Sequence, residues 1–188
     1  MFSADKETFR QRGTQGVLGL SADLRRRYDA MISDFIVATP QYRQARQILA
    51  YSALADEVSL DAVVESAKGE GKGVFLPVLG ESGASMGFLS WPPGEELEKG
   101  RFGLLEPRQG EAPSDVASLT LVPGRAFDGH GHRVGRGRGY YDRALDGLAR
   151  LGPVLGVAYF CQVFAEVPAG DDDRNVDFVV TERGQCGG

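Results

Sequence analysis

A glycine-rich segment, placed between a short apolar run and a helical pattern, constrains the fold of this chain more than any other feature. It reads VPGRAFDGHGHRVGRGRGYYD over residues 122–142 and holds five glycines between Gly129 and Gly139. The apolar run at 119–122 reads as a short strand that Pro123 and Gly124 close. The order strand, glycine loop, helix directs backbone N–H groups and the positive end of a helix towards an anion. The segment therefore predicts an anion-binding loop.

Three arginines alternate with the glycines and strengthen this prediction. Arg133, Arg136 and Arg138 carry planar, permanently charged guanidinium groups that suit phosphate or carboxylate. The loop is not one of the common phosphate loops, because no G-x-x-x-x-G-K-[ST] occurs and Tyr140 stands where the last glycine of G-x-G-x-x-G would be. A flexible surface loop would share this composition. The adjacent tyrosines and the acid at its end favour a binding loop.

Short apolar runs alternate with helical patterns along the whole chain. Strands are predicted within 47–54 (the run 48–51) and at 73–78, 86–89, 118–122, 154–160 and 176–181. Helices are predicted at 4–18, from Ser21 to Pro40, at 59–68 and at 141–151, and 95–113 reads as irregular surface chain. The alternation predicts an α/β fold with a mainly parallel sheet and helices on both faces, a three-layer, Rossmann-like arrangement. Residues 1–188 form one predicted domain with frayed ends at 1–5 and 183–188.

Charge and composition narrow the classes of partner. The formal net charge of −5 argues against nucleic acid and acidic membrane surfaces as partners, so anion recognition is expected to be local. Cys161 and Cys186 form no disulfide framework, and neither a signal peptide nor an apolar run long enough to span a membrane is present. We expect a cytoplasmic monomer that acts on small molecules.

Several charged residues are candidates for a site. Glu57 follows a predicted strand, and the carboxyl ends of parallel strands are where ligands bind in open α/β sheets, although an exposed loop acid would look the same. Lys6 and Arg10 share one helix face, which could equally be a solvated cationic surface. Asp142 could favour the helix dipole or bind Mg²⁺. A second carboxylate could come from the acidic run 171–173, which could also be merely solvated.

These residues together predict a site for a phosphorylated ligand and Mg²⁺ that works by positioning and charge neutralisation. No Ser/His/Asp or Cys/His nucleophile set has a recognisable local signature, and His130 and His132 are given no catalytic role.

The chain resembles the 5-formyltetrahydrofolate cyclo-ligase family, also called methenyltetrahydrofolate synthetases, over nearly its whole length. The most specific motif is VPGRAFDGHGHRVGRGRGYYDRAL. Weaker motifs occur in the right order: K-x-x-x-R at Lys6 and Arg10, Glu57-Val58, GKGVFLP, Met-x-Phe at Met86, LEKGRFGLLEP and VDFVVTE. The resemblance implies conversion of 5-formyltetrahydrofolate and ATP to 5,10-methenyltetrahydrofolate, ADP and phosphate, with Mg²⁺. The formyl oxygen would be phosphorylated to an iminium phosphate, and N10 would close the ring.

The resemblance also implies roles for individual residues. Catalytic residues would be Arg136, Arg138 and Tyr140. ATP would be bound by Lys6, Arg10, Arg133, Val134, Gly135, Arg136, Gly137, Arg138, Gly139, Tyr140 and Tyr141. The folate would be bound by Ser52, Glu57, Met86, Arg136, Gly137, Arg138, Gly139 and Tyr140. Mg²⁺ would be held by Asp142 and Asp173.

Three residues depart from the pattern of the family. Arg125 follows Val-Pro-Gly where leucine is common, and Gly170 and Asp172 replace the Glu and His of a Glu-x-His-Asp loop. Asp172 would repel phosphate, so weaker ATP binding is expected than in a histidine-containing relative. Two other classes stay open: a non-catalytic nucleotide, folate or RNA-binding module, and a sugar-phosphate isomerase or acyl-CoA-type enzyme on a similar scaffold.

Overall fold

The computed structural model describes residues 5–80, 85–170 and 172–187. The helices are α1 (Lys6–Leu18), α2 (Ala22–Ala38), α3 (Pro40–Gln44), α4 (Asp61–Gly69) and α5 (Tyr140–Leu148). The strands are β1 (Gln47–Leu49), β2 (Gly73–Leu79), β3 (Met86–Ser90), β4 (Leu97–Lys99), β5 (Leu105–Pro107), β6 (Ser118–Pro123), β7 (Ala126–Phe127), β8 (Arg133–Val134), β9 (Val154–Val157), β10 (Phe178–Thr181) and β11 (Gly184–Cys186). Among the described helices, none combines the length and the apolar character that crossing a bilayer requires.

Seven strands form one central sheet in the order β11-β10-β9-β6-β1-β2-β3. The five inner strands are parallel, and the edge strands β3 and β11 are antiparallel to their neighbours. The predicted α/β class with a mainly parallel sheet is therefore confirmed. Strand β1 pairs with β2 on one side and β6 on the other, so the order of strands reverses beside β1. Ligands bind at such a switch point in open α/β sheets.

Helices cover both faces of the sheet, as predicted. Ile48 of β1 packs in a core cluster with residues of α2 and α4, whereas the next residue, Leu49, packs with Leu145 and Leu148 of α5. Successive side chains of a strand point to opposite faces, and both neighbours here are buried. This is why the strands of the sheet read as continuous apolar runs.

Helix α1 lies unusually close to the segment before β7. A Cβ atom on Gly13 would come 1.8 Å from the carbonyl oxygen of Arg125, so only glycine allows this approach. The sequence pattern treats Gly13 as a weakness of the helix, whereas the structure uses it as a backbone-to-backbone contact. The contact brings the amino-terminal turns of α1, with Lys6 and Arg10, to the ligand-binding edge of the sheet.

Two parts of the chain are more ordered than the sequence pattern predicts. Strands β4 and β5 form an antiparallel hairpin within 95–113, and its turn includes Gly103 with a φ of 79°. The prediction of a frayed end is wrong for β11, which pairs with β10 through a turn at Gly184, whose φ is 100°. Glycines that suggest disorder in the sequence here supply left-handed turn positions. Residues 1–4 and 188 of the predicted frayed ends lie outside the described part of the chain.

Candidate active site

A cavity of about 760 Å³ opens at the carboxyl ends of β1, β2 and β6. Its walls come from the start of α1, the chain after β1, the ends of β2 and β3, the glycine loop and the first turns of α5. This volume lies within the range of about 300–1,000 Å³ that small-molecule sites occupy.

The cavity collects nearly all the residues that the sequence pattern and the family resemblance select. It is lined by Lys6, Arg10, Ser52, Glu57, Met86, Arg133, Gly135, Arg136, Gly137, Arg138, Gly139, Tyr140, Tyr141, Asp142 and Asp173. Val134 is the exception, because its side chain is buried in a separate cluster with Phe9, Ala126 and Val167. Its side chain is therefore not part of the cavity wall. Asp171, the other acid considered for a metal, lies outside the described residues.

The glycine loop brings its backbone against the cavity and leads directly into α5. Gly137 and Gly139 have φ values of 89° and 64°, in the left-handed region that side chains disfavour. Gly139 is the N-cap of α5 and, lacking a side chain, leaves the first N–H groups of that helix without a side-chain cap. The first turn thus presents donors and the positive end of the helix dipole to the cavity.

Two cations of α1 enter the cavity from one side. The ammonium group of Lys6 lies 2.6 Å from Oδ1 of Asp173, and Arg10 Nε donates to the carbonyl oxygen of Gly135 at 2.9 Å. Burial alone would raise the pKa of Asp173, but hydrogen bonds from Lys6 and from the backbone N–H of Gly170 outweigh it and lower the pKa. Asp173 is therefore ionised at neutral pH.

Arg133 supplies a third cation from beneath the loop. It is buried, its Nη2 donates to Oδ1 of Asp142 at 2.6 Å, and its guanidinium carbon lies 5.6 Å from the centre of the Tyr141 ring. Its buried Nε has no hydrogen-bond partner among the described residues. A Cβ atom on Gly135 would come 2.6 Å from Nη1 of this arginine, so glycine is required there.

Glu57 presents a nearly buried carboxylate to the opposite wall. Its Oε2 accepts from the backbone N–H of Leu54 at 2.9 Å, and its Oε1 accepts from Arg136 Nε at 3.0 Å. Burial raises the pKa of the Tyr141 phenol far above its ordinary value, and the charge of Glu57 adds to the rise. Tyr141 therefore keeps its proton at neutral pH. Ser52 accepts from the backbone N–H of Leu105 at 3.2 Å, which ties the β4–β5 hairpin to the cavity.

The metal-binding capacity of the site rests on two carboxylates. No group of three or more Asp, Glu, His or Cys side chains suited to a metal occurs within the described ranges. Asp142 and Asp173 both line the cavity, and each faces one cation. Mg²⁺ commonly takes one or two carboxylates together with phosphate oxygens, so this pair fits Mg²⁺ only in company with a phosphorylated ligand.

Some cavity residues do not stand out in the sequence pattern and were missed. They include Leu54, Pro77, Leu79, Leu104, Pro123, Gly124, Arg143, Asp146 and Arg174. Pro77 and Leu79 lie at the carboxyl end of β2, the same sheet edge as Glu57, so strand order alone could have pointed to them. Arg174 and Asp146 pair across the rim, a contact between distant segments that carries no local signal.

Comparison with known proteins agrees with this arrangement. The model of the 5-formyltetrahydrofolate cyclo-ligase family matches residues 3–182. The Haemophilus influenzae 5-formyltetrahydrofolate cyclo-ligase is 32% identical over 133 residues, which cover 68% of this chain and 71% of that protein. The Mus musculus protein of the same name is 27% identical over 180 residues, which cover 89% of each chain.

Solved structures agree as well. The NMR structure of Aquifex aeolicus 5,10-methenyltetrahydrofolate synthetase has a TM-score of 0.82 and 31% identity, and the match covers 96% of this chain and 91% of that one. A Mycoplasma pneumoniae 5,10-methenyltetrahydrofolate synthetase, 24% identical, shares the fold with a TM-score of 0.73. The chain is therefore an enzyme of the 5-formyltetrahydrofolate cyclo-ligase family.

Proposed function

We propose that this enzyme converts 5-formyltetrahydrofolate and ATP to 5,10-methenyltetrahydrofolate, ADP and phosphate in the presence of Mg²⁺. The observation that carries the proposal is a single cavity that joins the cations of α1 and the glycine loop with Glu57, Ser52 and Met86 from the ends of β1 and β3. One volume thus offers groups for a polyphosphate and groups for a flat ring that carries N–H donors.

Lys6, Arg10 and Arg133 would hold the phosphates of ATP. All three line the cavity, and each makes a contact that a phosphate oxygen could replace or share: Asp173, the Gly135 carbonyl and Asp142. Asp142 and Asp173 would hold Mg²⁺, which, when bound, neutralises phosphate charge. Pairing within the empty site keeps these charges compensated until the ligand arrives.

Glu57 would accept hydrogen bonds from the N–H groups of the pterin ring. Its carboxylate is fixed by the Leu54 N–H and is an acceptor only when ionised. Met86 would contact the ring, because a flexible thioether packs well against aromatic surfaces. This placement would bring the formyl group under the glycine loop, beside Arg136, Arg138 and Tyr140, the proposed catalytic residues.

The proposed reaction has two steps. The formyl oxygen attacks the γ-phosphorus of ATP and the bond to the ADP oxygen breaks, which leaves an N5 iminium phosphate. N10 then attacks the formyl carbon, loses its proton to solvent, and the C–O bond breaks to release phosphate. The arginines stabilise the negative charge that moves onto oxygen in both steps, and the loop holds the two reactants in line. Phosphorylation is needed because an amide-like oxygen is a poor leaving group.

The test is absorbance at the methenyl-folate band while the purified protein, Mg²⁺ and 5-formyltetrahydrofolate are mixed with and without ATP. A signal that rises only with ATP supports the proposal. No signal from protein with intact circular dichroism would contradict it and favour a binding module that holds nucleotide or folate without turnover. We also propose a monomer that acts in the cytoplasm, and light scattering of the purified protein tests the first part.

A further inference from the structure

Arg125, which lies behind the cavity wall, carries a buried charge that the proposed reaction does not use. Only 8% of its surface is exposed, and it is not among the residues that line the cavity. Its guanidinium Nη1 donates to Oδ2 of Asp56. A buried guanidinium is tolerated only when it is paired, and Asp56 is the partner here.

Asp56 connects this buried arginine to the cavity. Its other oxygen, Oδ1, accepts from Nη2 of Arg136, and Nε of Arg136 donates to Oε1 of Glu57 at 3.0 Å. Burial would raise the pKa of Asp56, but its hydrogen bonds to the two arginines outweigh this and lower it, so Asp56 is ionised. Four charges of alternating sign thus run from behind the wall to Glu57.

The geometry leaves the Asp56 carboxylate one orientation. Each of its oxygens serves a different arginine, so rotation of the carboxylate would break both contacts. Arg125 is itself held, because its backbone N–H donates to the carbonyl oxygen of Val134 at 2.7 Å and its carbonyl contacts Gly13 of α1. Without Arg125, Asp56 would be free to turn, and Arg136 would keep only its contact with Glu57.

We infer that Arg125 and Asp56 are positioning residues that hold the Arg136 guanidinium beside Glu57 and thereby set affinity for the folate substrate. For its effect on turnover the inference rests on the proposed function. Arg125 is also the residue of this chain that departs from the leucine common after Val-Pro-Gly in the family. The contact to Asp56 gives that departure a role, in place of an outward-pointing side chain or a change in nucleotide preference.

The first arm of the test needs no ligand. In ¹⁵N-labelled protein, the Nε–Hε resonances of Arg136 and Arg174 are assigned by single Arg→Lys variants, and their exchange with solvent is measured. Arg125→Met is expected to speed exchange at Arg136 about tenfold, the loss of about one charge-assisted hydrogen bond. Arg125→Lys should retain part of the protection. Arg174, which pairs with Asp146, is the internal control and should not change. Unchanged exchange at Arg136 would overturn the inference.

The second arm measures KM in the absorbance assay. Arg125→Met should raise KM for 5-formyltetrahydrofolate about tenfold and KM for ATP less than about twofold, because the phosphate-facing cations do not depend on Arg125. Equal changes in both constants, or none, would overturn the inference. If the wild type shows no turnover while the exchange arm behaves as expected, the proposed function fails and the positioning role stands. Should Arg125→Met not fold, Asp56→Asn removes the same anchor and carries the same expectations.

Discussion

Lys6 and Asp173 lie 167 residues apart in the chain, and the ammonium group of Lys6 contacts both carboxylate oxygens of Asp173, at 2.6 and 2.5 Å. We propose different ligands for the two residues, a phosphate for Lys6 and Mg²⁺ for Asp173. In the ligand-free protein they neutralise each other, which keeps two half-buried charges compensated. Binding of ATP with Mg²⁺ would exchange one ion pair for two.

Lys6→Met should raise KM for ATP about tenfold, because the variant loses a charge-assisted contact to phosphate. It should change KM for 5-formyltetrahydrofolate far less. Lys99→Met, on the exposed β4–β5 hairpin, is the matched control and should leave both constants unchanged. A rise in the folate constant alone would contradict the assignment of Lys6 to the nucleotide.

Asp142→Asn should increase the Mg²⁺ concentration required for half-maximal activity about tenfold, because an amide oxygen is a weaker ligand for Mg²⁺ than a carboxylate. The same shift is expected in the Mg²⁺ dependence of ATP binding measured by calorimetry, which does not depend on turnover. Asp115→Asn, an exposed acid outside the cavity, serves as the control. If both variants respond to Mg²⁺ like the wild type, the metal assignment is wrong.

Asp172→His should lower KM for ATP by a fewfold. Asp172 is exposed at the cavity wall, and its negative charge repels phosphate, whereas histidine can donate a hydrogen bond to it. The effect should be larger at pH 6 than at pH 8, because protonation adds a positive charge to the imidazole. Glu166→His places the same substitution outside the cavity and should have no effect. An unchanged or raised KM for ATP would refute this explanation of the departure.

Gly13→Ala should lower the free energy of unfolding by about 1–3 kcal/mol, because the added methyl group would meet the Arg125 carbonyl oxygen at 1.8 Å. It should also raise KM for ATP, because the strain displaces the helix that carries Lys6 and Arg10. Gly69→Ala is the matched control, since it lies in helix α4 and its added methyl group would meet nothing within 4 Å. Urea unfolding of both variants measures the difference, and equal stabilities would contradict a close backbone contact.

Asp128→Asn should destabilise the protein by about 2 kcal/mol at pH 7. The fully buried carboxylate accepts from the backbone N–H groups of His130, His132 and Val167 and from the His132 ring, and an amide nitrogen would face some of these donors. Burial would raise the pKa of Asp128, but these hydrogen bonds lower it below its ordinary value.

The sign of the pH dependence at Asp128 follows from that lowered pKa. The carboxylate contributes its full stability above the unfolded pKa of about 3.9 and loses it as the pH falls through the folded pKa. The stability gap between wild type and Asp128→Asn should therefore be constant near neutral pH and narrow below about pH 3.9. Asp34→Asn, at an exposed position of α2, should show no such gap. A gap that widens on acidification would contradict the lowered pKa.

The parts of the fold that sequence predicts are those with local signatures. Buried strands appear as apolar runs, and the glycine loop appears as left-handed positions, so the sheet edge and the position of Glu57 followed from pattern alone. Glycines are ambiguous, however, because the same residue marks a frayed end, a hairpin turn or a close contact. That ambiguity explains why β11 and the β4–β5 hairpin were not predicted, and why Gly13 looked like a weakness of α1.

The parts of the site that sequence does not predict are contacts between distant segments. Arg125 and Asp56 are 69 positions apart, and nothing in either neighbourhood indicates their pairing. Val134 illustrates the opposite error, because it lies within a run of cavity residues while its own side chain points into a core cluster. A continuous motif predicts which backbone approaches the ligand, whereas the facing of each side chain depends on packing.

Strand β1, the first of the chain, lies inside the sheet between β6 and β2, and the cavity above it draws on both ends of the protein. Lys6 comes from the first helix and Asp173 from the segment before β10, so no continuous fragment contains the whole site. During synthesis the cations of α1 emerge long before their carboxylate partner. Nucleotide binding therefore reports that translation has reached the end of the chain, and the site cannot be transplanted as a module.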